Sequence, residues 1–383
     1  MKIDSSFKFG IIGGGQLARM SALQAFRYGI QVGAVTSPSR NDPMEQVTPH
    51  VFRGQMSDYN TLEALANWAD VITLENEFLD GELLQKVRSE TGTPIYPTAS
   101  SFKKIENKRI EKETFRAAGI PVTSFMVIQE PDDLKKAGAD FGWPYILKSS
   151  KGGYDGYGNA TVRNMEEAAK AFSKLGGTSG REIIAEERIA FTRELAVLVA
   201  RNHLGTVVYP CVETIQEDHI CKTVIAPARI PKALREQACE LALAATEAID
   251  GIGLFAFEFF LTADNEILLN ESAPRPHNSG HYTIEACETS QFENHVRCVI
   301  GLPPKAVSMR KPFAVMVNLL GKRNAPAVLE SSSDLRHLED LHIHVYGKSE
   351  SRIGRKMGHV TVLGRDVEEC LTMAQKADST ILL

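Results

Sequence analysis

The chain has 383 residues, with 43 Lys plus Arg against 48 Asp plus Glu, a formal net charge of −5. That length buries a sizeable core and divides into two or three domains. Its 43% hydrophobic and 24% charged fractions exclude a disordered chain, a collagen and a disulfide scaffold. The acidic balance argues against a nucleic-acid partner, and no apolar run reaches the ~20 residues that span a bilayer, so no membrane partner is expected. Met1 to Phe9 lacks the apolar stretch of a signal peptide. The six cysteines form no C-x-x-C pair and read as free thiols of a cytoplasmic protein.

Residues 9–12 read as a short apolar strand, followed by Gly13-Gly14-Gly15 and a helical stretch to Tyr28. Further strands are expected at 30–35 and 71–74. Strands alternating with helices imply βαβ units and a parallel sheet, here ending near Pro97. A charged helix is expected over 101–118, stopped by Gly119 and Pro121. Strands, glycine-rich turns and two more helices fill 120–300. Gly301-Leu302-Pro303-Pro304 reads as a boundary, and the remainder as short strands with a final helix over 366–376.

Gly13-Gly14-Gly15-Gln16-Leu17-Ala18 fits G-x-G-x-x-A between a strand and a helix, the dinucleotide pattern. The acid expected at the end of the second strand is missing, since Val35-Thr36-Ser37-Pro38 stands there. Tight helix-on-strand packing explains the glycines as well as a ligand does. A stronger signal is Tyr145-Ile146-Leu147-Lys148, a strand ending in Lys, followed by Gly152-Gly153-Tyr154-Asp155-Gly156-Tyr157-Gly158. Gly-Lys-Ser/Thr is absent and a strand over 160–162 follows, so this is no Walker A loop. A glycine-rich flap between two strands, with a Lys on the first, is the kinase style of phosphate site.

A third signal concerns register. If Asp264-Asn265 is a two-residue turn, Ala263 pairs with Glu266 and, counting outward, Glu258 with Glu271. The two carboxylates then lie about 5 Å apart at Cβ on one face. Their repulsion is relieved by a cation, and Mg²⁺ binds through one or two carboxylates plus phosphate oxygens. The strand leaves through Asn270-Glu271-Ser272-Ala273-Pro274-Arg275-Pro276-His277-Asn278-Ser279-Gly280-His281, a rigid loop rich in donors for an oxyanion. Pro276 and Gly280 argue against the helix that would align His277 and His281 on zinc. Finally, Lys348, Arg352, Arg355, Lys356 and His359 gather positive charge without interleaved aromatics, which suits one phosphate better than nucleic acid.

These features together resemble the ATP-grasp enzymes and, within that superfamily, the N5-carboxyaminoimidazole ribonucleotide synthetases. The resemblance rests on Gly13 to Leu17, Glu75-Asn76-Glu77, Gly152 to Gly156, Ala226-Pro227-Ala228-Arg229, Ala273 to His281, Thr289 to Glu293, Met316 to Gly321 and Tyr346 to Val360. It implies an α/β and α+β architecture: a Rossmann-like substrate domain over 1–98, an ATP-grasp domain over 99–304 and a small β-rich C-terminal domain over 305–383. It implies carboxylation of 5-aminoimidazole ribonucleotide with bicarbonate and ATP, in a cytoplasmic homodimer.

The resemblance also implies residue roles. Lys108 and Lys148 would hold ATP phosphates under a flap of Gly153, Tyr154, Asp155, Gly156, Tyr157, Gly158 and Asn159. Glu186, Glu187, Arg188, Ile189, Glu194 and Gln216 would frame the nucleoside. Glu258 and Glu271, helped by Asn270, would bind two Mg²⁺ ions, or Mn²⁺ in their place. Gln16, Leu17, Glu75, Arg275, His277, Asn278, Ser279, Lys348 and Arg355 would hold the ribonucleotide and bicarbonate, with Tyr154, Arg275, His277 and Lys348 acting in catalysis. The family has a basic residue where Tyr157 stands, Gln at Asn159, His at Gln216 and Asp-Arg at Asn107-Lys108. Lys151 is the expected substitute for the charge missing at Tyr157. Alternatives are another acyl-phosphate ligase, such as a formate-dependent glycinamide ribonucleotide transformylase, or an NAD(P)-dependent oxidoreductase using the first glycine loop.

Overall fold

The computed structural model describes residues 3–39, 41–152, 158–330 and 340–383. The N-terminal part is a five-stranded sheet in the order His50–Arg53, Gln31–Thr36, Lys8–Ile12, Val71–Leu74, Ile95–Tyr96, with every pair parallel. Apolar side chains on both faces explain the continuous hydrophobic runs: Phe9 and Ile11 join one core cluster, Ile12 and Val35 the other. The strand order reverses at Lys8–Ile12, whose neighbours are Gln31–Thr36 and Val71–Leu74. The crevice beyond the carboxyl ends of strands at such a point is where α/β sheets bind ligands.

A four-stranded antiparallel sheet follows, in the order Phe125–Ile128, Ile183–Glu186, Tyr145–Ser149, Asn159–Val162. The central sheet has nine strands and is antiparallel throughout. Its strand Phe191–Asn202 is buried on both faces: Leu195, Val197 and Val199 join one cluster, Ala196, Leu198 and Ala200 the other. The C-terminal strands Phe313–Leu320, Lys356–Gly364 and Leu341–Val345 extend this same sheet. All six cysteines are free, and no helix among the described residues is long and apolar enough to cross a membrane.

Several sequence expectations need correction. The charged helix over 101–118 is two helices, Ala99–Lys103 and Lys108–Ala117. Asn107 breaks it: its Oδ1 accepts from the backbone N–H of Arg109 and Ile110, an N-cap that starts the second helix. Residues 120–300 hold more than two helices, among them Pro131–Asp140, Met165–Lys174, Lys232–Ala248 and Gln291–Val299. The final helix runs over Val367–Thr380, capped by Asp366.

The helix Gln291–Val299 joins the two large sheets. Val296, Val299 and Ile300 pack into the core of the parallel sheet. His295, 1% exposed, accepts at Nδ1 from the Leu254 N–H (3.2 Å), so its proton sits on Nε2 and reaches Thr73 Oγ1 at 2.9 Å. This ring is neutral in the folded protein, and burial holds its pKa near 3. Burial, with neighbouring positive charge, also depresses His277, to about 4, and His281, while burial with neighbouring histidines depresses His359. In the unfolded chain each takes a proton below about pH 6.5. Stability is therefore full above pH 6.5 and falls as pH drops through the window from 6.5 towards 3. Each ring adds a slope of up to about 1.4 kcal/mol per pH unit. His295→Gln keeps a donor and an acceptor but cannot titrate. Urea unfolding between pH 7 and 4.5 is expected to show a slope smaller by close to one proton in this variant.

Candidate active site

A cleft of about 520 Å³ lies between the carboxyl ends of the parallel strands and the strand pair Gly253–Thr262 and Ile267–Ala273. Of the predicted residues, Gln16, Leu17, Glu75, Lys108, Glu258, Glu271, Arg275, His277 and Asn278 line it.

Its N-terminal wall is built by Glu75. The carboxylate accepts from the Gly15 N–H, across the switch point of the sheet. Gly13 sits at φ +118°, and a β-carbon there or on Gly15 would overlap the Glu75 side chain. The glycines are thus required by a carboxylate of the protein itself, which occupies the anion cradle a dinucleotide would use. Burial pushes the Glu75 carboxyl up to about 7, against the pull of the Gly15 and Leu17 N–H groups. Glu77, two residues on, takes Arg275 through both its carboxylate oxygens, with NH2 to Oε1 at 2.8 Å. Burial works against the Glu77 charge, but Arg275 outweighs it and holds the carboxyl low.

Glu258 and Glu271 are direct partners in the antiparallel register, as expected. The route to that pairing differs. The turn has three residues, 263–265: the Thr262 N–H donates to Glu266 O and Asn265 sits at φ +64°. Leu261 therefore pairs with Ile267 and Phe259 with Leu269, one step off the two-residue register. A bulge between Phe259 and Glu258 leaves Asn270 unpaired and restores the opposition.

The two carboxylates are not equivalent. Lys108 Nζ lies 2.7 Å from Glu271 Oε2 and holds that carboxyl down. Burial, then Glu271 itself, pushes Glu258 up. Among the described residues no group of three or more His, Cys, Asp or Glu converges to hold a metal. Two opposed carboxylates, one held by Lys108 and the other pushed up, fit a divalent ion that takes its remaining ligands from phosphate and water.

His277 accepts at Nδ1 from the Ser279 N–H (3.4 Å) and lies 2.9 Å from Ser279 Oγ, so its proton sits on Nε2, 3.7 Å from Glu258 Oε1. It is a neutral donor aimed into the cleft. Ser279 itself is fully buried and holds the ring instead of lining the cleft. Gln291 fastens the same loop, accepting from the His277 N–H (2.9 Å) and donating to its carbonyl (2.8 Å).

Other predicted residues stand apart from the cleft lining. The Glu186 carboxylate is buried against Lys148 at 2.8 Å and Lys112 at 3.4 Å. Burial opposes its charge, yet the two lysines hold it near 2. Lys148 also reaches Asn270 Oδ1 at 3.4 Å. The Glu187 N–H donates to Ser124 O, Arg188 is exposed and Ile189 partly so. Gln216 hydrogen-bonds Glu194, whose carboxyl burial raises. Asn159 pairs with Lys148 across two strands, and Gly158 O accepts from the Ser149 N–H. Lys348 donates to Lys356 O (2.7 Å) and Arg355 to Glu350 O (2.8 Å); of the three basic residues it is Lys356 that lines the cleft. Lys151 is paired with Glu106 at 2.9 Å. Gly153, Tyr154, Asp155, Gly156 and Tyr157 lie outside the described residues.

Sequence reasoning missed Glu111 and Lys112. Glu111 lines the cleft and accepts from Ser272 N–H and Oγ at 2.7 and 2.6 Å, and burial pushes it to about 7. Both belong to the helix Lys108–Ala117, which the sequence shows only as charged. Glu77 was within reach, since it closes the Glu75-Asn76-Glu77 motif.

Three family models match: the ribonucleotide synthetase preATP-grasp domain over 7–106, the ATP-grasp domain over 113–292 and the phosphoribosylaminoimidazole carboxylase C-terminal domain over 314–373. The Schizosaccharomyces pombe phosphoribosylaminoimidazole carboxylase is 37% identical over 94% of this chain; the chain spans 66% of that protein's length. The Bacillus subtilis N5-carboxyaminoimidazole ribonucleotide synthase is 37% identical, covering 94% of this chain and 92% of the relative. The Aspergillus clavatus N5-carboxyaminoimidazole synthase solved with ADP and 5-aminoimidazole ribonucleotide superposes with a TM-score of 0.87 at 35% identity, covering 98% of each chain. Fold and cleft are those of an ATP-grasp enzyme, a class of ATP-dependent ligases. Within it, the chain belongs to the N5-carboxyaminoimidazole ribonucleotide synthase family.

The asymmetry of the acidic pair gives a test in the absence of ligands. Glu258→Gln is expected to stabilise the protein by up to about 1 kcal/mol, the scale of one relieved like-charge contact. Glu271→Gln is expected to destabilise it, because Lys108 loses its closest partner. Thermal melts of the two variants in EDTA should move in opposite directions.

Proposed function

We propose that the protein carboxylates 5-aminoimidazole ribonucleotide with bicarbonate, converting ATP to ADP and phosphate and yielding N5-carboxyaminoimidazole ribonucleotide. The observation that carries this reading is the single cleft in which Lys108, Glu258 and Glu271 face Glu75, Arg275 and His277. One end has the chemistry for nucleotide phosphates, the other for a small anion and an amine. The ligands of the Aspergillus clavatus relative, ADP and 5-aminoimidazole ribonucleotide, support it.

Bicarbonate is a weak electrophile. Transfer of the ATP γ-phosphoryl group to one of its oxygens makes carboxyphosphate, whose carbon the substrate amine attacks directly or as released CO₂. Lys108 and Lys148 offset charge on the phosphoryl oxygens. Arg275, held rigid by Glu77, and the neutral Nε2–H of His277 are donors for the carboxyphosphate oxyanion. Glu75, with its carboxyl near 7, is placed to receive the amine proton. Glu258 and Glu271, with the Asn270 amide, would hold Mg²⁺, or Mn²⁺ in its place, which supplies Lewis-acid charge neutralisation. Lys356, with Lys348 and Arg355 behind it, supplies the positive charge for the ribonucleotide phosphate.

Domain borders fall near 98 and 304 in this reading. The parallel sheet ends at Tyr96, and the strand Phe313–Leu320 opens the C-terminal part. A cytoplasmic homodimer completes it.

The test is ADP release, which is expected to require both 5-aminoimidazole ribonucleotide and bicarbonate for full rate. Glu271→Gln should abolish it at low millimolar Mg²⁺. Lys356→Ala should raise the ribonucleotide KM by about 10- to 150-fold, the loss of one charge-assisted contact, and leave the ATP KM within about twofold. The reverse pattern would move the phosphate clamp elsewhere.

A further inference from the structure

The loop that carries His277 and Asn278 is set from behind by a residue of the C-terminal segment. Asn318, in the strand Phe313–Leu320, has no exposed surface. Its Nδ2 donates to the Cys221 carbonyl at 2.8 Å and to Asn278 Oδ1 at 2.6 Å. Its Oδ1 accepts from Asn278 Nδ2 at 2.9 Å.

The order of atoms in this pair has one solution. A backbone carbonyl can only accept, so the Asn318 amide atom facing Cys221 is the nitrogen. That makes its other atom Oδ1, which demands Nδ2 from Asn278 and leaves Asn278 Oδ1 opposite the second hydrogen of Asn318. The identity of each Asn278 atom is thereby passed from a main-chain carbonyl through two amides to the cleft. A terminal amide torsion is broad and roughly two-fold, so without Asn318 the Asn278 amide has two orientations of opposite polarity. Asn318 is itself anchored, because the Lys222 ammonium donates to its carbonyl at 3.0 Å and is held by Asp378 at 2.9 Å.

We propose that Asn318 is a positioning residue that fixes the hydrogen-bonding polarity Asn278 presents to the ribonucleotide. This rests on the function proposed above. Asn278 spends one N–H and one acceptor site on Asn318, and its remaining N–H and lone pair meet the substrate in a fixed order. A site whose polar groups are ordered in this way rejects a ligand with donor and acceptor exchanged, because buried groups would be left unpaired.

The experiment measures ribonucleotide and ATP KM by ADP release in Asn318→Leu, Asn278→Ala and the double variant. Asn318→Leu is expected to raise the ribonucleotide KM about tenfold, the loss of one or two neutral hydrogen bonds, with the ATP KM within twofold of wild type. The double variant should be no worse than the worse single one, since Asn318 acts only through Asn278. Asn318→Asp keeps the side-chain shape but offers only acceptors to Cys221 O and Asn278 Oδ1, and should raise the ribonucleotide KM at least as far. An unchanged ribonucleotide KM in Asn318→Leu or Asn318→Asp, an equal rise in both KM values, or full additivity with Asn278→Ala would overturn the inference. Wild-type protein that releases no ADP in response to the ribonucleotide would overturn the proposed function, and this inference with it.

Discussion

Two carboxylates of like charge held face to face organise this molecule. Glu258 and Glu271 are locked by a ladder that fixes every other residue of the hairpin, and a one-residue bulge at Asn270 keeps them opposed. The conflict is half resolved inside the protein. Lys108, projected from the first turn of a helix that Asn107 caps, neutralises Glu271. At Glu258 burial and the repulsion of Glu271 outweigh the nearby lysines and favour the protonated form.

The charges behind the pair obey the same rule. Lys112 and Lys148 would be costly to bury alone, and Glu186 between them would be costly without either. Glu111 is satisfied by Ser272, the residue after Glu271, which ties the helix to the acidic strand. These groups hold the site rigid, and their cost is offset only when all are present. The histidines of the loop that follows Glu271 are kept neutral. His277 and His281 are buried with depressed pKa values, so they act as fixed donors and acceptors.

The cleft depends on contacts between distant parts of the chain. Glu75 closes the glycine loop 60 residues before it in sequence, and Arg275 reaches Glu77 across 198 residues. His295 spans from the parallel sheet to the central one. The C-terminal strands continue the central sheet, which places Asn318 directly behind the loop that carries His277 and Asn278 into the cleft. Movement of any one part would misalign groups held by the others.

The parallel N-terminal unit, the strand carrying Lys148 and the Glu258–Glu271 opposition were all legible in the sequence. Each is written in local terms: alternation, a glycine-rich turn, or pairing counted outward from a turn. The pairing was legible even though the turn is one residue longer than expected, because the bulge at Asn270 returns the lost step. Tertiary structure alone decided which of several basic residues reaches the cleft, and it chose Lys356 from a cluster of five. It set Ser279 behind the His277 ring and placed the Glu186 carboxylate between Lys112 and Lys148. Glu111 and Lys112 lie on a helix that the sequence shows only as charged, and only the fold shows that they are buried. The division has a physical cause. Backbone geometry and register are set by neighbours within a few residues, whereas the burial and pairing of a charge depend on which distant side chains the fold brings within 3 to 4 Å of it.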